Sequence, residues 1–302
     1  MTTVLVTGGG RGLGRVTAGK LAAGGHRVLL VARTEASAQP AVDAIRRDHP
    51  GADVEPRWVD LSSMEAIRNF AAVEADGTID VLFHVAGEMQ TNPVRQVTVD
   101  GFEETLAVNA LAPYLLTGLL MPALERSASP RVISVSSRLH LPDSRGEPVD
   151  FDFDDPQLQH GYNPDRAYKN SKLAVLWFTY ELQRRVPSIT ADAVCPGFVP
   201  STAAASTSGV MHFVMEHLMP HMPFATTVED ATDSFVFMAT DPSIEGDGGK
   251  FYGEQHEIES SPESHDTERA RRFWELAGEL TGFSGVWHRD GPPRGGTSGA
   301  NC

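Results

Sequence analysis

The chain has 302 residues, 41% of them hydrophobic and 22% charged, with 28 glycines and 20 prolines, which is enough for one large domain with a sizeable core. A formal net charge of −15 argues against a nucleic-acid or anionic-membrane partner, and two cysteines, Cys195 and Cys302, are too few for a disulfide framework. The start, MTTVLVTGGG, reads as neither a signal peptide nor a membrane anchor. No apolar stretch approaches the roughly 20 residues that span a bilayer, so a cytoplasmic setting is expected.

Along the chain, short apolar runs alternate with segments of helical period. The runs are TVLVTG, HRVLLVA, DVEPRWVD, IDVLFHVAG, PRVISVSS, SITADAVCPG and GKFYGEQ. Between them lie helix-period segments at Gly12–Gly24, Glu35–Asp48, Ser63–Glu74, Asp100–Ser127, Asp165–Val186 and Val228–Thr240. Near-continuous hydrophobic strands separated by helices predict an α/β fold: a doubly wound, parallel, seven-stranded sheet with helices on both faces, over residues 1–284. Residues 285–302, dominated by glycine, proline and polar side chains, are expected to form a disordered tail.

The first strand runs into VTGGGRGLGRV, which opens the first helix. Gly8, Gly12 and Gly14, around Leu13, permit a tight turn, close approach of backbone to a pyrophosphate and close helix packing. The helix N-terminus then offers unpaired N–H groups to the phosphates. At the end of the second strand, VLLVARTE places Arg33 where an NAD-binding protein usually carries an acid for the ribose hydroxyls. A guanidinium there suits a 2′-phosphate, with Arg11 able to approach the same group, so NADP(H) is the expected cofactor.

RAYKNSK places Tyr168 and Lys172 four residues apart on one helix face. An ammonium beside a phenol favours the phenolate, and the expectation is that Lys172 lowers the pKa of Tyr168 toward the working range. Three histidines, His212, His217 and His221, suggest a metal, but their spacing and Pro220 spoil a helical ligand pair, and no metal is expected. Cys195, before a Pro-Gly at a strand end, reads as a packed core thiol.

Taken together, TGGGRGLG, VDLSS, HVAG, VNALAPYLLT, RVISVSS, YKNSK and CPGFVPST resemble the short-chain dehydrogenase/reductase family, in the family's order and over almost the whole chain. The match is nearest to the retinol-dehydrogenase-like branch, which shares a long acidic insertion like VDFDFDDPQ and a similar ending. The resemblance implies a catalytic tetrad of Asn109, Ser137, Tyr168 and Lys172. In it Tyr168 exchanges a proton with the substrate oxygen, Ser137 holds that oxygen, Lys172 also holds the nicotinamide ribose, and Asn109 kinks its helix and positions a water. It further implies cofactor contacts from Asp60, Leu61, Ala86, Gly87, Pro196, Gly197, Val199 and Thr202.

Two departures stand out. His84 and Val85 replace two asparagines common in the family, and the N-terminal anchor common among retinol-acting members is not seen, which argues against a membrane-delivered retinoid. Residues 200–227 are expected to form a lid whose apolar side chains, with Phe198, Phe213 and Met219 against the substrate, select a lipophilic carbonyl or alcohol. The expected activity is carbonyl–alcohol interconversion as a ketoreductase. The alternatives are a tailoring reaction such as epimerisation or elimination on the same scaffold, or a non-catalytic NADP(H) sensor. The acidic segment Arg138–Pro164 is expected to cover the helix face through which many family members dimerise, leaving a monomer.

Overall fold

The computed structural model describes residues 1–200, 217, 219–222, 225–285 and 287. The seven apolar runs form β1 (Thr3–Thr7), β2 (Arg27–Ala32), β3 (Val54–Trp58), β4 (Val81–His84), β5 (Arg131–Val135), β6 (Thr190–Cys195) and β7 (Phe251–Gly253). The helix-period segments form α1 (Gly12–Ala23), α2 (Glu35–Asp48), α3 (Met64–Glu74), α4 (Glu104–Leu124), α5 (Pro164–Arg185) and α6 (Val228–Thr240). The sheet runs β3-β2-β1-β4-β5-β6-β7, with one further strand beyond β7.

The eighth strand corrects the expectation of seven parallel ones. β8 (His256–Glu257) pairs antiparallel with β7, Gly253 lying opposite His256. The chain reverses through Glu254 and Gln255, whose φ angles of 52° and 66° suit a two-residue hairpin turn. Two exposed polar residues carry no hydrophobic alternation, so the sequence holds no signal for this strand.

β1 hydrogen-bonds to β2 on one side and β4 on the other, Val4 facing Val28 and Val81. The winding therefore reverses between β1 and β4, and a crevice opens beyond the carboxyl ends of those strands. Successive side chains of β1 feed opposite layers. Leu5 joins Ile67 of α3, Leu115 of α4 and Trp177 of α5, whereas Val4 and Val6 join Leu21 of α1, Val42 of α2 and Phe235 of α6.

Two helices depart from the sequence expectations. α4 is 21 residues long and apolar enough, by length and composition, to cross a membrane, contrary to the reading that no such stretch exists. Its apolar surface is almost wholly buried within the domain, and Asn109 and two prolines mask its continuity in the sequence. The sequence expectations name no helix at α7 (Thr267–Thr281), although Ala270, Phe273, Trp274 and Ala277 recur there at helical spacing. Asp266 caps it by accepting from the N–H groups of Glu268 and Arg269, both at 3.0 Å, and Gly282 ends it at φ 61°. That spacing and those two residues are the signal that would have found it.

Candidate active site

The glycine turn sits at the β1/β4 crevice, and its geometry needs glycine for two different reasons. Gly8 has φ +71°, and a Cβ there would lie 2.9 Å from the Cα of Ala86, so β1 and the end of β4 approach too closely for any side chain. A Cβ on Gly14 would lie 2.7 Å from the carbonyl carbon of Gly8, which ties α1 down onto the turn. Gly12, at φ +55°, faces open space instead. No side chain caps α1, and its first turn holds no acid, so its leading N–H groups are left for an external anion. Buried Leu13 anchors the turn from beneath. This open-sided, uncapped turn fits the pyrophosphate of a dinucleotide.

Thr7 locks the other wall. Its Oγ1 accepts from the N–H groups of Val85 and Ala86, both at 3.1 Å, and donates to the Phe83 carbonyl at 3.3 Å. The two departures in HVAG therefore leave this loop intact. His84 points away from the crevice, its Nε2 2.8 Å from Oγ1 of Thr117 on α4. Burial pushes its pKa down to about 3, so the ring is a neutral core group.

The tetrad residues arrive from three elements. Asn109 sits in a π-helical turn, Ala107–Leu111, inside α4. That turn aims its amide at the loop after β4: Oδ1 accepts from the N–H of Glu88 at 2.7 Å, and Nδ2 donates to the Glu88 carbonyl at 2.8 Å. Nδ2 also lies 2.9 Å from Oγ of Ser171, which itself donates to the Tyr168 carbonyl at 2.8 Å. Asn109 thus ties the Gly87 loop to α5.

Lys172, almost fully buried, donates to the Val135 carbonyl at 3.0 Å, and its Nζ stands 5.4 Å from the centre of the Tyr168 ring. A Cβ on Gly87 would lie 3.6 Å from both Lys172 Nζ and Asn109 Oδ1, so the two polar heads flank that glycine. Ser137 follows β5 and faces the Tyr168 hydroxyl, while its Oγ accepts from the Leu139 N–H at 3.2 Å. The neighbouring Ser136 hydroxyl donates to the Lys172 carbonyl at 3.0 Å, pinning β5 to α5.

The electrostatics differ from the sequence expectation. Burial pushes Tyr168 up to about 12, nearby Cys195 acts in the same direction, and the hydrogen bond with Ser137 opposes both. The Lys172 ammonium, which lies over the ring and donates to the Val135 carbonyl, does not overcome that burial. Burial instead drives Lys172 down to about 8, with Cys195 opposing. The lysine is therefore charged at neutral pH but close to its titration point. Cys195 is a buried free thiol at the end of β6, as its sequence context implies.

The remaining candidates line the same carboxyl edge. Asp60 follows β3, its Oδ1 accepting from the N–H and hydroxyl of Ser62 at 3.0 and 2.7 Å, and half-buried Leu61 packs on the core. Pro196, Gly197, Phe198 and Val199 follow β6, and the Phe198 carbonyl accepts from the Thr226 N–H at 2.7 Å. Gly197, at φ +77°, lets Thr226 come so near that a Cβ there would lie 2.9 Å from the threonine Cβ. Arg33 and Arg11 are exposed near the glycine turn. Met219 is half-buried in a short 3-10 turn, Met219–His221, while Thr202 and Phe213 lie outside the described residues, as does most of the lid.

Three supporting residues escaped the sequence reading. Ser171 was visible inside YKNSK, one turn from Tyr168. His140 is fully buried and bridges two distant segments: its Nδ1 meets the Ser137 carbonyl, and its Nε2 accepts from the Ser261 N–H at 3.1 Å. That acceptor assigns the proton to Nδ1, so a neutral histidine holds the backbone of Ser137 in place. Nothing local in the sequence marks it, because Ser261 is 121 residues away. Glu88 directly follows Gly87 and went unremarked.

Known proteins place the chain. The family model for short chain dehydrogenase matches residues 2–146. Human retinol dehydrogenase 14 is 33% identical over 299 residues, covering 93% of this chain and 86% of that protein. Human polyprenol dehydrogenase is 33% identical over 292 residues, with the same shares covered. Among solved structures, an uncharacterised Mycobacterium paratuberculosis protein superposes with a TM-score of 0.72 at 29% identity, over 93% of this chain and 94% of that one. A Beutenbergia cavernae protein assigned as an NAD(P)-dependent gluconate 5-dehydrogenase, holding NADP at low occupancy, gives 0.64 at 27% identity, over 84% and 94%.

Proposed function

Because this chain belongs to the short-chain dehydrogenase/reductase family, in its retinol-dehydrogenase-like branch, we propose that it interconverts a carbonyl and an alcohol on a lipophilic small molecule with NADP(H), working as a reductase. The observation that carries this is the convergence of Ser137, Tyr168, Lys172 and Asn109 around Gly87 at the β1/β4 crevice. When bound, the dinucleotide supplies the hydride. Gly8, Gly12 and Gly14 cradle its pyrophosphate, and Arg33 takes the 2′-phosphate. Ser137 holds the substrate oxygen, and Tyr168, held protonated by its burial, donates to that oxygen as charge develops there. Lys172 keeps a positive charge beside the phenol at neutral pH, which offsets the charge left on the tyrosine. Asn109 and Ser171 hold this geometry by joining the Gly87 loop to α5.

The names of the relatives support a lipophilic substrate, since retinol and polyprenol are both alcohols of that kind. A monomer is favoured because the outer faces of α4 and α5 lie under α7 and the segment around Phe151, with Tyr114 and Trp177 buried there.

The test is NADPH oxidation with a homologous series of straight-chain ketones and aldehydes. Each buried CH₂ contributes about 0.8 kcal/mol, so kcat/KM is expected to climb along the series. A flat series, or preference for polyhydroxy substrates, removes the lipophilic assignment. Tight NADPH binding with no turnover of any carbonyl favours a sensing protein instead.

A further inference from the structure

Arg33 does not stand free. Its Nη2 lies 3.5 Å from Oε2 of Glu88, the residue after Gly87. The arginine side chain is 60% exposed and that of Glu88 27%, so the pair is loose and partly solvated. The Glu88 backbone, in contrast, is gripped on both sides by Asn109, so its carboxylate projects from a fixed point beside the cofactor crevice. More acid gathers around it. Burial raises the Glu104 carboxyl, Glu88 raises it further, Arg33 pulls the other way, and Glu103 and Asp60 add to the rise. One guanidinium thus serves two carboxylates, Glu88 and Glu104, while the Arg11 side chain has no hydrogen bond or ion pair among the described residues.

We propose that Glu88 is a specificity-determining residue that competes with the cofactor's 2′-phosphate for Arg33, and so narrows the preference for NADPH over NADH. This rests on Arg33 being the group that takes the 2′-phosphate. A phosphate approaching Arg33 must displace the Glu88 carboxylate or share the fork with it, and like charges at that distance repel. NADH presents a neutral hydroxyl at the same place and meets no such repulsion. Because Asn109 fixes the Glu88 backbone, the carboxylate cannot move aside by shifting its loop without disturbing the tetrad.

Both cofactors are titrated onto the full chain and followed by nicotinamide fluorescence, with no substrate present. Glu88→Gln keeps size and removes the charge. It is expected to tighten NADPH about three- to tenfold and to change NADH by less than about 1.5-fold, with the gain shrinking near about 0.5 M salt. Arg33→Ala is expected to weaken NADPH roughly tenfold with little effect on NADH, and adding Glu88→Gln to it should then return almost nothing. If Arg33→Ala stays selective while Glu88→Gln leaves NADPH binding unchanged or weaker, the role of Glu88 is overturned. A gain that persists without Arg33 also overturns it, since the carboxylate would then act on the phosphate directly. Equal loss of both cofactors in Arg33→Ala overturns the assignment of Arg33 itself.

Discussion

The two halves of α5 do opposite things with buried side chains. Its first half carries Tyr168 and Lys172 into the crevice, where an ammonium is desolvated against a single carbonyl partner, Val135, among the described residues. Its second half carries Trp177 and Phe178, both fully buried, into an aromatic cluster. Trp177 lies 5.4 Å from Phe151, stacks on Phe153 at 5.7 Å, and donates its indole N–H to the Glu263 carbonyl at 2.8 Å. Phe178 stacks on Trp274 of α7 at 6.1 Å. The second half holds the helix rigid so that the first half can keep a charge where water would otherwise be preferred. Stability and chemistry are thus separated by about one and a half turns of one helix.

Removing the proton donor tests the chemical half most severely. Tyr168→Phe keeps the ring, so NADPH should still bind and the melting temperature should not fall, while turnover drops by about 10²–10⁴-fold. Substantial remaining turnover would mean that another group delivers the proton.

In the packing half the damage should appear as instability instead. Trp177→Ala is expected to cost about 3–5 kcal/mol in denaturant unfolding, with kcat per folded molecule within about threefold of the parent. A loss under about 1 kcal/mol, or a collapse of kcat in protein that remains folded, would erase the division between the halves.

The smallest effect has the opposite sign. Lys172 falls from 10.5 to about 8 on folding. Between those values the unfolded chain holds the extra proton, so stability should rise with pH from about 8 upward, by on the order of 3 kcal/mol over the full interval. Measurement below pH 10 avoids the titration of Tyr168, whose raised pKa acts in the reverse direction. Lys172→Met should abolish turnover, stabilise the protein at pH 7 by roughly 1–2 kcal/mol, and flatten the rise toward pH 9.5. A less stable variant at pH 7 would show that the buried ammonium is not a burden on the fold.

Much of this was legible from residue order alone. The strands from β1 to β7, the helices from α1 to α6, the glycine turn and the spacing of Tyr168 and Lys172 are local features, since hydrophobic period and a four-residue step need no knowledge of distant segments. β8 was invisible because two polar residues have no period, and His140 because its partner Ser261 is remote.

What the sequence by itself determined is therefore the winding of the sheet and which residue types line its carboxyl edge. Tertiary structure decided the charges on them. Only the packed chain shows that burial outweighs the lysine's pull on Tyr168, that His84 turns into the core, and that Arg33 already faces Glu88. The physical reason is that strand and helix periods are properties of neighbouring residues, whereas desolvation and charge pairing depend on what folding brings alongside.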